Sequence, residues 1–390
     1  MPASCWKPDV RISGKHERVW RIQKQQTGFK VPGLIVTAVQ STGHKNASYK
    51  TNMNHKIIYP QNGAVVDTHT PLQNTFIGKI RAFGTEAALE WLLPVKEHRE
   101  RSYPQDITLR WTPDGAKRWT VEVSETPDFA GSVTAGTAEP RFTLTNPKVG
   151  QTYFWRVDGG EPLSFSTLGN TYRFIRIDGL MNVRDIGGIR IRQGMVYRGS
   201  EITGEYEITD AGRKTFCEAL GIRTEVSLRK ELTEEPPHSA AGETVRYKRL
   251  PYRPYREVFE DEHRENICRI FDFLADAENY PVYFHCLGGA DRTGMIALYL
   301  RALAGESDEE ILIDYELTSL SAFAGGLTEG IRAEGFRSRN NDYFAEFLTA
   351  LYAYAGEKRL EKAVRAFLLD CGVPEETLNR VVSLLRAPGI

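Results

Sequence analysis

Cysteine is scarce: five in 390 residues, an odd number spread from Cys5 to Cys371, which excludes the dense disulfide framework of a small secreted scaffold. Long apolar runs are missing too. Those around Leu34 and Ile296 stop well short of the roughly 18 residues that a spanning helix needs, so no transmembrane segment is expected. Neither sign of charge is in excess, with 50 Lys and Arg against 51 Asp and Glu, so no global field draws the chain to nucleic acid. The Met1 end lacks the basic-then-apolar pattern of an export signal, and the chain as it stands reads as soluble and cytoplasmic. What is present is ordinary for a globular protein: 41% hydrophobic and 26% charged residues, and a length that predicts two or three domains at about 150 residues each.

The balanced charge conceals an asymmetry. Residues 1–55 hold nine Lys or Arg against only Asp9 and Glu17, which reads as a basic and poorly ordered leader. From 56 to 168 the apolar period becomes two: Ile107, Leu109 and Trp111; Trp119, Val121 and Val123; Phe142 and Leu144; Tyr153, Trp155 and Val157. Turn clusters separate these runs, at Thr112-Pro113-Asp114-Gly115, Thr126-Pro127-Asp128, Asn146-Pro147 and Asp158-Gly159-Gly160. The pattern predicts a β-sandwich. With the run Gly150-Gln151-Thr152-Tyr153-Phe154-Trp155-Arg156-Val157, it resembles a fibronectin type III or related immunoglobulin-like domain. The resemblance implies a positioning or binding module and names no ligand.

Residues 169–390 mix α and β. Ile222 to Leu228, Thr244 to Leu250 and Pro281 to His285 read as strands, and Thr209 to Leu220, Val258 to Ala277 and Thr293 to Ala304 as helices. Ser307 with Glu310 three residues on predicts a capping box, followed by further helices to Leu385. The expected architecture is therefore multidomain: a β-sandwich, then an α/β domain with a mainly parallel central sheet flanked by helices.

One stretch carries chemistry: Val282-Tyr283-Phe284-His285-Cys286-Leu287-Gly288-Gly289-Ala290-Asp291-Arg292-Thr293-Gly294, running into an apolar helix. A glycine-rich loop between a buried strand and a helix can wrap backbone N–H groups, here those of Leu287, Gly288, Gly289, Ala290, Asp291 and Arg292, around one phosphate. The helix N-terminus adds partial positive charge and the Arg292 fork two parallel hydrogen bonds. The same field stabilises a thiolate, so Cys286 is expected to be a nucleophile near neutral pH. Attack on phosphorus then gives a phosphocysteine that water hydrolyses, with no metal and no cofactor required. The bare Cys-x5-Arg spacing also occurs at Cys5 with Arg11 and at Cys217 with Arg223; the former loop lacks glycine and the latter falls inside an expected helix.

These residues resemble the cysteine-dependent protein-tyrosine phosphatases, and among them a bacterial tyrosine/lipid phosphatase branch whose loop reads His-Cys-x-x-Gly-x-Asp-Arg-Thr-Gly. Four further blocks are similar and in order: Gly179 to Gly188, Val196 to Ser200, Gly221 to Arg229 and Asp314 to Thr318. The resemblance implies Cys286 as nucleophile, Arg292 as phosphate clamp, Thr293 as hydroxyl donor to the thiolate, His285 as a loop-orienting residue and Asp291 as general acid. The chain departs from the branch at Ser227, where a carboxylate often precedes Leu-Arg, and at Ala290, where members thought to act on phosphoinositides often carry Lys. The first departure leaves Asp291 as the expected acid, with Glu225, Glu231 and Asp261 as alternatives.

Arg229, at the end of an expected parallel strand, is placed to line the site; Asn182, Arg184 and Asp185 either line it or brace a turn. Tyr252, Tyr255 and Phe259 either face a phosphotyrosine ring or pack a helix. Trp111-Thr112-Pro113-Asp114 mimics an acid loop but reads as a strand followed by a turn. The segment Ser319 to Asn341 is either a lid or a solvated connection. The expected partners are a phosphorylated protein, with phosphotyrosine favoured, or a small phosphomonoester. Phosphoinositide or inositol phosphate hydrolysis is the alternative, as is a phosphate-binding module without turnover. Cysteine loops of similar length also serve arsenate reductases and sulfurtransferases, against which the Asp291-Arg292-Thr293-Gly294 ending argues. Immunoglobulin-like modules beside bacterial phosphatases also suggest export by resemblance. Oligomeric state is not legible.

Overall fold

In the computed structural model, which describes residues 56–92, 102–230, 235–321, 342–387 and 389, each run of alternation named above is a strand. The leader over 1–55, Glu231 and nearly all of the Ser319 to Asn341 connection lie outside the described residues. The first eight strands are β1 (Ile57–Tyr59), β2 (Ala64–Val66), β3 (Ile107–Trp111), β4 (Trp119–Ser124), β5 (Val133–Thr137), β6 (Arg141–Leu144), β7 (Thr152–Val157) and β8 (Leu163–Thr167). They form a three-stranded sheet, β1-β3-β6, and a five-stranded sheet, β2-β8-β7-β4-β5. Both sheets turn their alternate apolar residues into one cluster that includes Leu109, Trp111, Val121, Trp155 and Phe165. Asp114 closes the turn after β3, accepting from the N–H of Ala116 at 3.0 Å and the indole of Trp119 at 3.2 Å.

The two-residue period does not hold throughout this region. Residues 71–92 form two helices, α1 (Pro71–Phe83) and α2 (Thr85–Leu92). Thr70 starts α1 with a capping box: its hydroxyl accepts from the Gln73 N–H, and the Gln73 side chain accepts from the Thr70 N–H. Pro71 at the first helical position costs nothing, because its absent N–H would have had no partner. The pair buries Phe76, Ile77, Ala88, Leu89 and Leu92 against Tyr172, Phe174, Ile313, Leu317 and Leu320 from beyond residue 169.

The second part is built on a six-stranded sheet: β9 (Arg173–Phe174), β10 (Arg184–Asp185), β11 (Val196–Gly199), β12 (Thr224–Ser227), β13 (Arg246–Arg249) and β14 (Val282–His285). Its order is β13-β12-β14-β11-β10-β9, with the first four parallel and β10 antiparallel to both neighbours. Helices α3 (Asp210–Lys214), α4 (Asp261–Leu274), α5 (Asp291–Leu303), α6 (Asp308–Glu316), α7 (Asp342–Ala355), α8 (Leu360–Asp370) and α9 (Glu375–Leu385) complete it. Strand β14 shows why the motif reads as apolar without a gap. Val282 and Phe284 join the cluster under α4, α5, α8 and α9, while Tyr283 joins the opposite cluster with Phe216 and Val245.

Two helical expectations are corrected. The helix read over Thr209 to Leu220 is α3 followed by a wide π turn, Thr215–Ala219, closed by the Leu220 N–H on the Thr215 carbonyl and stopped by left-handed Gly221. At α6 the Ser307 hydroxyl accepts from the Glu310 N–H, but the Glu310 side chain does not complete the box. It reaches away to Arg81 of α1 at 2.5 Å and to the Tyr172 hydroxyl. Among the described residues no helix is long and apolar enough to cross a membrane.

Candidate active site

The parallel register brings Gly199, His285 and Ser227 level at the carboxyl ends of β11, β14 and β12. Cys286 to Ala290 leave the sheet there and feed directly into α5, so the loop sits where open α/β sheets collect ligands.

The loop is shaped from outside by its carbonyls. Those of Gly288 and Gly289 each accept from the Asn182 amide at 3.1 Å, and Gly289 also accepts from Arg198 at 2.8 Å. The Leu287 carbonyl accepts from the Glu201 N–H at 2.8 Å, and the Cys286 carbonyl lies 2.9 Å from His285 Nδ1. In a planar trans peptide the next N–H points opposite to the carbonyl. Fixing the carbonyls of residues 286–289 outward therefore turns the N–H groups of Leu287, Gly288, Gly289 and Ala290 toward the concave side. The amino end of α5 adds the N–H groups that no helix carbonyl satisfies. Gly289 is left-handed at φ +67, and a Cβ there would stand 2.2 Å from the Gly199 carbonyl oxygen.

A buried charge cluster holds those outer anchors. Asp314 of α6 binds Arg184 at 3.2 Å, Arg198 at 2.8 Å and Arg301 at 3.4 Å, and Arg301 binds Glu306 at 2.5 Å. Three guanidinium groups thus meet the carboxylates of Asp314 and Glu306 beneath the loop. Arg198 is close enough to Cys286 for the two to interact electrostatically. Burial, then the neighbouring guanidinium groups, pull both Arg184 and Arg198 below the ordinary arginine value. For Asp314 burial acts upward, but Arg301, Arg184 and Arg198 overcome it and hold the carboxyl well below the usual range.

The singled-out residues that lie among the described ones take the following places. Cys286 is buried at the end of β14, with Leu287 partly exposed above it. Asp291 and Arg292, both half-buried, open α5. His285 is buried and bridges outward, with Nε2 2.9 Å from Glu225, so Glu225 lies behind the loop instead of serving as an alternative acid. Asp261 is 94% exposed and pairs with Arg264 on α4. The expected donation from Thr293 to the sulfur is not formed: its hydroxyl is buried and has no hydrogen-bond partner among the described residues.

Asn182 and Arg184 support the loop from behind, and Asp185 braces a turn by accepting from the N–H groups of Gly187 and Gly194 while paired with Arg173. Of the two alternatives left open by the sequence, Asp185 takes the turn-bracing one, while Asn182 binds loop carbonyls and Arg184 binds Asn182 and Asp314. Arg229 lies beside the loop, paired with the buried Glu201 carboxylate. Tyr252 is buried in the core against Tyr299, and Phe259 packs on Phe347 and Phe367, so neither faces a substrate. Tyr255 differs from them. Its hydroxyl donates to Asp291 Oδ1 and lies 2.6 Å from the Tyr315 hydroxyl. Arg198, Glu201 and Asp314 escaped assignment from sequence; charged residues between apolar neighbours, as in Val196-Tyr197-Arg198, were the available signal.

Known proteins share parts of this sequence. A protein of Cupriavidus necator described as a candidate tyrosine-protein phosphatase is 26% identical over 174 residues, covering 36% of this chain and 61% of its own. A tyrosine-protein phosphatase of Nostoc commune is 28% identical over 133 residues, covering 29% of this chain and 45% of its own. The chain thus spans less than two thirds of either relative. The core catalytic domain of a PP-IP phosphatase from S. cerevisiae matches at 17% identity over 33% of this chain and 75% of that one, with a TM-score of 0.25, too low to carry an argument. The model of the tyrosine phosphatase family matches residues 175–383, more than half of the chain and all of the loop and its anchors, and the chain belongs to that family.

Proposed function

We propose that the chain hydrolyses phosphomonoesters through a phosphocysteine at Cys286, with phosphotyrosine in proteins as its substrate. One observation supports this reading: the four carbonyls tied outward by Asn182, Arg198, Glu201 and His285, which turn the next N–H groups toward the concave side of the loop that Cys286 opens. In the proposed reaction the Cys286 thiolate attacks phosphorus, the P–O bond to the leaving group breaks, and Asp291 gives its proton to the departing oxygen. Arg292 and the loop N–H groups bind the phosphoryl oxygens as charge spreads over them. Water then attacks the phosphocysteine, returns a proton to Asp291 and releases phosphate and the thiolate.

Residues 169–390 are read as the catalytic domain and 56–168 as a fibronectin III/immunoglobulin-like β-sandwich. The latter draws support from the apolar cluster shared by two sheets and from Tyr153, the second residue of β7, which accepts from the Lys148 N–H upstream at 2.7 Å, as in a tyrosine corner.

The test is p-nitrophenyl phosphate hydrolysis in excess EDTA. Turnover is expected in the native protein and none in Cys286→Ser; activity surviving that substitution would overturn the mechanism. Asp291→Asn is expected to lose roughly 10²- to 10⁴-fold on phenyl phosphate and less on the p-nitrophenyl ester, whose leaving group needs little protonation. A higher kcat/KM for phosphotyrosyl peptides than for inositol phosphates would support the substrate, and the reverse order would give preference to the inositol reading.

A further inference from the structure

Asp291 is not the only group placed at its own position by the fold. Tyr255 comes from a separate segment, the turn before α4, and holds a left-handed backbone at φ +63 that bulky side chains rarely adopt. Such a conformation persists where the surroundings over-determine it, and here the ring and hydroxyl are both held. The ring stacks on Tyr343 with centroids 6.2 Å apart, and the hydroxyl meets Asp291 Oδ1 and the Tyr315 hydroxyl. Tyr315 is itself closely packed: its ring lies parallel to Phe344 at 3.8 Å and sits so near α5 that a Cβ at Gly294 would be 2.7 Å from it.

A phenol has one proton to give. Since Tyr255 donates its proton to Asp291, the short contact with Tyr315 runs the other way, from Tyr315 to the Tyr255 oxygen. The result is a directed chain from α6 through Tyr255 to the first residue of α5.

We propose that Tyr255 is a positioning residue for acid catalysis, keeping Asp291 Oδ1 engaged so that the transferable proton is carried on Oδ2. This rests on the reading of Asp291 as the general acid. When the S–P bond forms and the P–O bond breaks, the proton passes from Oδ2 to the leaving oxygen and the carboxylate keeps its bond from Tyr255. In the second step the attacking water returns a proton to the same oxygen.

The experiment measures kcat/KM of Tyr255→Phe on two esters with the full chain. Expected is a loss of about tenfold on phenyl phosphate, the kinetic equivalent of one charge-assisted hydrogen bond, and of less than about twofold on p-nitrophenyl phosphate. An equal loss on both esters would mark a merely structural role, and no loss on either would deny any role; each overturns the proposal. Should Tyr255→Phe not fold, Tyr315→Phe keeps its ring on Phe344 and removes the donor that orients the Tyr255 hydroxyl; a smaller loss, again selective for phenyl phosphate, is expected, and a loss equal on both esters or absent from both would overturn the proposal. Asp291→Asn separates the two levels of argument. If it shows the selective loss and Tyr255→Phe does not, only the positioning role fails; if it shows none, the acid assignment fails and takes the positioning role with it.

Discussion

Two backbones that pass almost in contact explain why residue 289 is glycine. The Gly199 carbonyl occupies the space a Cβ would need, and φ at 289 is in the left-handed region, so both sterics and conformation act on the same residue. Gly289→Ala is expected to cost about 1–3 kcal/mol of stability as the loop is pushed off β11. The displacement misaligns the N–H cradle by roughly an ångström, enough to lower kcat/KM by about 10²-fold. Thermal denaturation and p-nitrophenyl phosphate kinetics read the two effects separately, and an Ala variant with native activity would show that the loop is not held by this contact. At this scale the positions of Cys286, Asp291 and Arg292 were legible, because a strand, a glycine pair and a helix start fix them locally. Asn182 was legible only as part of a block. It binds two carbonyls more than 100 residues away and takes a left-handed φ of +58, and nothing in the local sequence announces that partner. Thr293 shows the converse, since adjacency along the chain to Arg292 did not deliver its hydroxyl to the sulfur.

Among the elements, α6 does the organising. Its Asp314 joins Arg184 of β10, Arg198 of β11 and Arg301 of α5, and two of those arginines or their partner Asn182 reach the loop. A carboxylate buried among cations is stabilising only while ionised. Because the folded protein holds Asp314 well below its unfolded value near about 4, its contribution is complete above that value and is lost as pH falls toward the depressed one. Asp314→Asn is therefore expected to destabilise by about 3–5 kcal/mol near neutrality, because it removes the carboxylate that three buried guanidinium groups share. Between about pH 5 and about pH 3 the urea midpoint of the native protein should fall more steeply than that of the variant. Parallel midpoints across that range would remove Asp314 from the acid response. The elements themselves were largely readable from periodicity. Glu310 was not, because its capping role competes with Arg81 and Tyr172, groups that only packing brings near.

For the molecule as a whole, the described residues belong to one compact unit, Ala47–Ile390, whose parts meet through α1 and α2 and through the segment before β7, where Asn146 binds Arg173 and Arg176 and Val149 binds Gln193. Phe76 is fully buried where α1 meets Tyr172, Phe174 and the end of α6. Phe76→Ala is expected to cost about 3–5 kcal/mol, and since its neighbours include Leu317, directly after the Asp314 helix, activity should decline with stability. Calorimetry that found an unchanged midpoint would show that the helical pair is a loose appendage. The pair was missed in the sequence because strands on both sides share an alternating pattern, and a 13-residue and an 8-residue helix with modest amphipathicity stand out poorly against it.

What the sequence determined alone is whatever depends on neighbours along the chain: strand alternation, the turn residues, and a cysteine and an arginine six residues apart across glycines. The tertiary structure decided which distant groups complete that loop. The peptide planes of residues 286–289 could have faced either way, and it is Asn182, Arg198 and Glu201, brought in from distant positions, that together with the adjacent His285 orient them. A hydrogen bond acts over about 3 Å and is indifferent to separation in sequence, so the chemistry of the site was local while its geometry was not.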